Sequence, residues 1–141
     1  MNRLAQSFSS PLKSDGRGTR QLEGLHILVA EDEVIVALDI QDTLEEEGAD
    51  VRGPAYTLAQ AMEIASHDAL SAAILDLRLG RDSVGPVACA LTERGIPFIF
   101  YTGQSRTDPL RSEWPHVALL SKPATARELV SAIASCLREN A

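Results

Sequence analysis

Four short apolar runs in this chain each end on a side chain able to handle a phosphoryl group or the cation that accompanies one. Ile27-Leu28-Val29-Ala30 runs into Glu31-Asp32, and Ala73-Ile74-Leu75 runs into Asp76. Phe98-Ile99-Phe100-Tyr101 runs into Thr102, and Val117-Ala118-Leu119-Leu120 runs through Ser121 into Lys122-Pro123. An ionised, accessible carboxylate can attack phosphorus. Glu31, Asp32 and Asp76 packed together would repel one another, raising at least one pKa until a cation arrives. Mg2+ meets that need, because it takes octahedral oxygen ligands, keeps several waters and is shared between carboxylates and phosphate. Asp32 and Asp76 are the expected direct ligands, with Glu31 acting through water. Lys122 offers a compact positive charge to the phosphoryl oxygens, and Thr102 offers a hydroxyl donor. A dianion formed on Asp76 would draw both inward, which makes their loops the expected switch.

The elements that must position these groups alternate along the chain. A strand over 25–30 is followed by a helix from about Glu33 to Glu47, stopped by Gly48. A strand over 50–55 contains Gly53-Pro54, which points to an edge or bulged strand. Thr57-Leu58-Ala59-Gln60 is a capping box that opens a helix to about His67. A strand over 72–76 leads to a loop from Leu77 to Ser83, then a helix from about Val84 to Arg94 with Pro86 in its first turn and Gly95 as its stop. After a strand over 97–101, Pro109 and Pro115 allow only a short helix between Gly103 and Pro115. A strand over 117–120 and a second capping box, Thr125-Ala126-Arg127-Glu128, lead into a last helix to about Arg138. Five strands alternating with helices predict an α/β fold with a parallel sheet covered on both faces. A flavodoxin-like order, 2-1-3-4-5, sets the first and third strands side by side and opens all four chemical ends at one rim.

Residues 1–23, rich in Ser, Gly and polar side chains, read as a disordered N-terminal tail, with the folded domain over 24–141. At 141 residues with 45% hydrophobic and 23% charged side chains, the chain is of ordinary globular composition. Its formal net charge of -7 argues against a nucleic-acid surface and suits a carboxylate-rich cation site. Cys89 and Cys136 lack metal or redox spacing and are expected to be buried thiols. Neither a secretory signal nor a stretch of membrane-spanning length is recognisable, so a cytoplasmic protein without membrane contact is expected. His26, His67 and His116 are scattered, and no Gly-rich phosphate loop or nucleophile elbow occurs.

With Glu31-Asp32, Asp76, Thr102 and Lys122-Pro123 in place, the chain resembles the receiver domain of two-component response regulators over about residues 25–139. That resemblance implies a phosphoryl group taken on Asp76 from a histidine kinase or a phosphotransfer protein. It also implies Mg2+ held by Glu31, Asp32, Asp76 and the backbone carbonyl of Arg78, a cis Lys122-Pro123 bond, and Arg78 and Gln104 flanking the path of attacking water. The stretch Pro97-Phe98-Ile99-Phe100-Tyr101-Thr102-Gly103 is similar to the Pro-Phe-x-Phe-Ala-Thr-Gly signature of alphaproteobacterial receivers nicknamed FAT GUY, which implies a shortened fourth helix and an HWE-type kinase. Three positions depart from the pattern: the acidic pair is Glu-Asp, Tyr101 sets a bulky ring beside Thr102, and Leu119 stands where the family carries its switch aromatic.

No helix-turn-helix or basic recognition helix is present, so a stand-alone receiver acting through a downstream protein partner is expected, as shuttle, sink or binding switch. Its only catalysis would be its own Mg2+-dependent phosphorylation and dephosphorylation. Two rivals remain: a pseudo-receiver that never carries phosphate, and a Mg2+-dependent aspartyl phosphatase of the haloacid-dehalogenase type, whose second Asp would fall at Arg78. The sequence leaves open whether the chain is a segment of a larger hybrid kinase. The first helix carries more apolar residues (Val34, Ile35, Val36, Ala37, Leu38, Ile40) than one face can bury, and part of that surplus is a candidate docking surface.

Overall fold

A computed structural model describes residues 20–103 and 108–139. In chain order the elements are β1 (His26–Ala30), α1 (Val34–Glu46), β2 (Asp50–Ala55), α2 (Leu58–His67) and β3 (Ala72–Leu75). They continue through β4 (Arg78–Leu79), β5 (Asp82–Ser83), α3 (Gly85–Glu93), β6 (Phe98–Thr102), α4 (Pro109–Glu113), β7 (Leu119–Ser121) and α5 (Ala126–Glu139). The five long strands form one parallel sheet of order β2-β1-β3-β6-β7, which is the expected flavodoxin-like order once the small hairpin β4–β5 is set aside. β1 and β3 are neighbours, with Ala30 opposite Leu75, so Glu31 and Asp76 leave the sheet side by side.

Continuous apolar strands give two cores because successive side chains face opposite sides of a sheet. Leu28, Ala30, Ala73, Leu75, Phe98 and Phe100 face α2 and α3. Ile27, Val29, Ile74, Ile99 and Tyr101 face α1 and α5. Strands buried on both faces hold the backbone rigid up to its last ladder bond. Those bonds reach the rim: the Glu31 amide donates to Ala55 O at 2.9 Å, Asp76 to Ala30 O at 3.0 Å, and Lys122 to Thr102 O at 3.0 Å.

The helix ends follow local chemistry. Thr57 Oγ1 accepts the Gln60 N–H at 3.2 Å, and Thr125 and Glu128 form the reciprocal box, at 3.1 and 2.8 Å. Gly48 ends α1 with φ +95°, where an added Cβ would collide with the Glu23 backbone. α4 is held to five residues between Asp108, which caps Leu110 N–H, and the turn before Pro115. β2 is an edge strand with a register irregularity opposite Leu28–Ala30, as Gly53-Pro54 suggested.

Three expectations change. The loop after Asp76 is not irregular throughout, because β4 and β5 pair in an antiparallel hairpin turning on Gly80, φ +63°. Folded structure begins before residue 24: Leu22 is fully buried in the core beneath α1 and α5, and its N–H donates to Glu47 O at 3.0 Å. Leu22 plugs an apolar site that local composition does not announce, and residues 1–19 of the expected tail lie outside the described residues. Cys89 is exposed rather than buried, on the outer side of α3, while Cys136 is half-buried. No helix of the described residues is long and apolar enough to cross a membrane.

Candidate functional site

The carboxyl rim of the sheet carries all five predicted residues. One carboxylate oxygen each from Glu31, Asp32 and Asp76 lies within 4.8 Å of the others, a spacing that suits a single cation. Lys122 reaches across from the end of β7 (Leu119–Ser121). Its Nζ is 2.7 Å from Glu31 Oε1, and it donates hydrogen bonds to Asp76 Oδ2 at 3.0 Å and Glu33 Oε1 at 3.1 Å. Thr102 ends β6 in register with Ser121, buried, its carbonyl accepting the Lys122 N–H. Lys122-Pro123 is cis.

Burial sets the electrostatics. Glu31 is 1% exposed, and loss of hydration drives its pKa up to about 7, against the opposing pull of the Lys122 ammonium and the Glu33 N–H. The charge of Asp76 adds a smaller push in the same direction, so burial outweighs the mutual repulsion expected from sequence. For Lys122 burial alone would lower the pKa. Hydrogen bonding to Glu31 and Asp76 outweighs it and holds the ammonium well above the usual lysine range.

The donor set fits a hard divalent cation. Asp76 Oδ1 is buried and accepts no hydrogen bond among the described residues, and the buried Glu31 Oε1 is met by the Lys122 ammonium. Buried carboxylate oxygens without donors are costly unless a cation meets them. Three clustered carboxylates are the kind of oxygen donors Mg2+ takes.

Arg78 turns its side chain away from this cluster. Its Nε lies 3.3 Å from Asp108 Oδ2, so the guanidinium ties the hairpin after Asp76 to the cap of α4, while its backbone remains in the loop that leaves Asp76. Gln104 lies outside the described residues. Tyr101 buries its ring in the α1 and α5 core. Leu119 is half-buried and packs on the other core.

Several participants were not foreseen. Glu33 was assigned to the helix start, yet it adds a third carboxylate to Lys122. The Gly80 N–H donates to Asp32 Oδ2 at 2.8 Å, joining the two acidic loops. A glycine in a short turn after Asp76 was the available signal, but its partner lies 48 residues away and no local pattern connects them. On α1, Val34, Ile35 and Leu38 are exposed directly after the acidic pair, Ile35 by 79%, while Ala37, Ile40 and Leu44 are buried. The apolar surplus of that helix thus lies in part on the surface beside the site.

No family model matches the chain. The transcriptional regulatory protein PdtaR of Mycobacterium tuberculosis (strain CDC 1551 / Oshkosh) is 28% identical over 110 residues, 76% of this chain and 54% of that protein. The chain spans about half the length of the curated relatives it matches. A response regulator receiver protein of Sinorhizobium medicae WSM419 is 28% identical, with a TM-score of 0.72 over 84% of this chain and 98% of the other. A CheY-like receiver domain protein of Methanospirillum hungatei JF-1 shares the fold at a TM-score of 0.72, with 23% identity over 84% of this chain and 96% of the other. In fold, in sequence and in the residues gathered at its rim, the chain resembles the receiver domains of response regulators.

Proposed function

We propose that the chain accepts a phosphoryl group on Asp76 from a phosphohistidine of a histidine kinase or phosphotransfer protein and passes the signal on by protein contact. The observation that carries this reading is the Lys122 ammonium held between Glu31 and Asp76, beside a buried Asp76 oxygen, Oδ1, that accepts no hydrogen bond among the described residues. Asp32, Asp76 and Glu31, with the Arg78 carbonyl, would hold Mg2+, which when bound neutralises the carboxylates and the incoming phosphoryl oxygens.

An Asp76 carboxylate oxygen forms the new bond to phosphorus. The P–N bond of the donor breaks, and its electron pair stays on the imidazole nitrogen. Lys122 then meets a phosphoryl oxygen in place of part of its present carboxylate contact, and Thr102 donates its hydroxyl to another. Loss of the acyl phosphate to water resets the site, so the protein catalyses only its own modification. Arg78 argues against a phosphatase, since its side chain pairs with Asp108 where such an enzyme would place an acid. Val34, Ile35 and Leu38, exposed next to the acidic pair, form the surface offered to the phosphodonor. Whether the phosphoryl group is relayed, drained or read as a binding switch follows from the partner.

The test is incubation with acetyl phosphate and Mg2+. Wild type gains acid-labile phosphate and Asp76→Asn does not; an equal yield on the variant overturns the assignment.

A further inference from the structure

We infer that Tyr101 is a positioning residue that sets the site lysine, a role resting on the phosphoryl-acceptor reading above. The segment Lys122-Pro123-Ala124 has only two backbone N–H groups, because proline has none. Both end on consecutive residues of β6: the Lys122 N–H on the Thr102 carbonyl at 3.0 Å, and the Ala124 N–H on the Tyr101 phenolic oxygen at 3.1 Å. The Tyr101 ring is 7% exposed, packed in the core formed with Leu129, Val130 and Ile133 of α5, so its hydroxyl is a fixed point. Its face also lies 5.9 Å from Lys122 Nζ, within cation–π range.

A side chain at position 101 thus holds both ends of Lys122, the backbone through Ala124 and the ammonium through the ring. A small residue there would leave the Ala124 N–H without this acceptor and the segment tied at one end only. The same ring occupies the core face of β6 next to Thr102, so strand and lysine move as one body. Leu119 supplies no polar group for such a link. The bulky residue beside the threonine is therefore the element that couples the β6 end to the lysine loop.

Tyr101→Phe keeps the ring and removes only the oxygen. Its Ala124 amide should exchange with solvent about three- to tenfold faster, the equivalent of one lost hydrogen bond. The maximum rate of Asp76 phosphorylation by acetyl phosphate should fall by about the same factor, with Mg2+ affinity unchanged and the Lys122 15Nζ signal shifted. Wild-type exchange and rate in the variant overturn the inference. A rate and a Mg2+ affinity that fall together with the melting temperature also overturn it, since that is a general loss of stability. If wild type takes no phosphate on Asp76, the phosphoryl reading fails separately, and Ala124 exchange with the Lys122 signal still decides the positioning role.

Discussion

At the residue scale, one ammonium serves three carboxylates. Lys122 Nζ lies 2.7 Å from Glu31, 3.0 Å from Asp76 and 3.1 Å from Glu33, and two of those partners are buried. Removing one member of a buried ion pair leaves a charge without compensation, which costs about 3–5 kcal/mol. Glu31 softens that cost, because burial already holds its pKa near 7 and it can take a proton. Lys122→Ala should therefore melt below wild type in the absence of divalent cation. Saturating Mg2+ should recover more of the melting temperature than it adds to wild type, because it meets carboxylates the lysine no longer neutralises. Calorimetry with and without Mg2+ checks this, and equal shifts in the two proteins contradict it. Asp76, Thr102 and Lys122 were legible because each closes an apolar run, and strand ends share one rim. Glu33 was not, since an acid at a helix start has an ordinary capping explanation and its partner is 89 residues away.

At the element scale, helix limits were legible where side chains cap the backbone. Thr125 with Glu128 does what its spacing promises, while Thr57 accepts the Gln60 N–H but Gln60 Oε1 accepts the Tyr56 N–H rather than that of Thr57. The hairpin Arg78–Ser83 was not, because strands of two residues carry no periodicity, and Gly80 reads as a turn without revealing that Asp32 accepts its N–H. For α1, periodicity could not decide between deeper packing and exposure of its apolar surplus. Helix geometry decides: Ala37, Ile40 and Leu44 face the sheet, which turns Val34, Ile35 and Leu38 outward. Ile35→Asp should lower phosphotransfer from the cognate kinase at least about tenfold, roughly 1.4 kcal/mol of lost encounter energy. Phosphorylation by acetyl phosphate should be unchanged, because Ile35 belongs to no part of the acidic cluster. A phosphotransfer profile against the host's histidine kinases reads the first and an acetyl phosphate assay the second; an undiminished kinase rate sets the docking surface elsewhere.

At the scale of the whole molecule, two cores sandwich the sheet, and the acidic cluster with its lysine sits at the carboxyl rim where β1, β3 and β7 end. Continuous apolar runs alternating with helical segments along the chain were enough to assign that architecture. The start of the folded unit was not, because Leu22 stands alone among polar neighbours and its burial depends wholly on tertiary contact with the α1–α5 core. Truncating a fully buried leucine costs about 2–5 kcal/mol. Leu22→Ala should lose stability in that range by urea unfolding at an unchanged slope, and a loss below about 0.5 kcal/mol would show that the segment before β1 is not part of the cooperative unit.

The central claim is that Asp76 is the atom-level acceptor. Borohydride reduces an acyl phosphate on aspartate to homoserine, which peptide mass spectrometry locates. After treatment with acetyl phosphate and Mg2+, homoserine should appear at position 76 and nowhere else. Its absence there, or homoserine at Asp32 or another aspartate in its place, or the one-carbon-longer alcohol at Glu31, contradicts the claim.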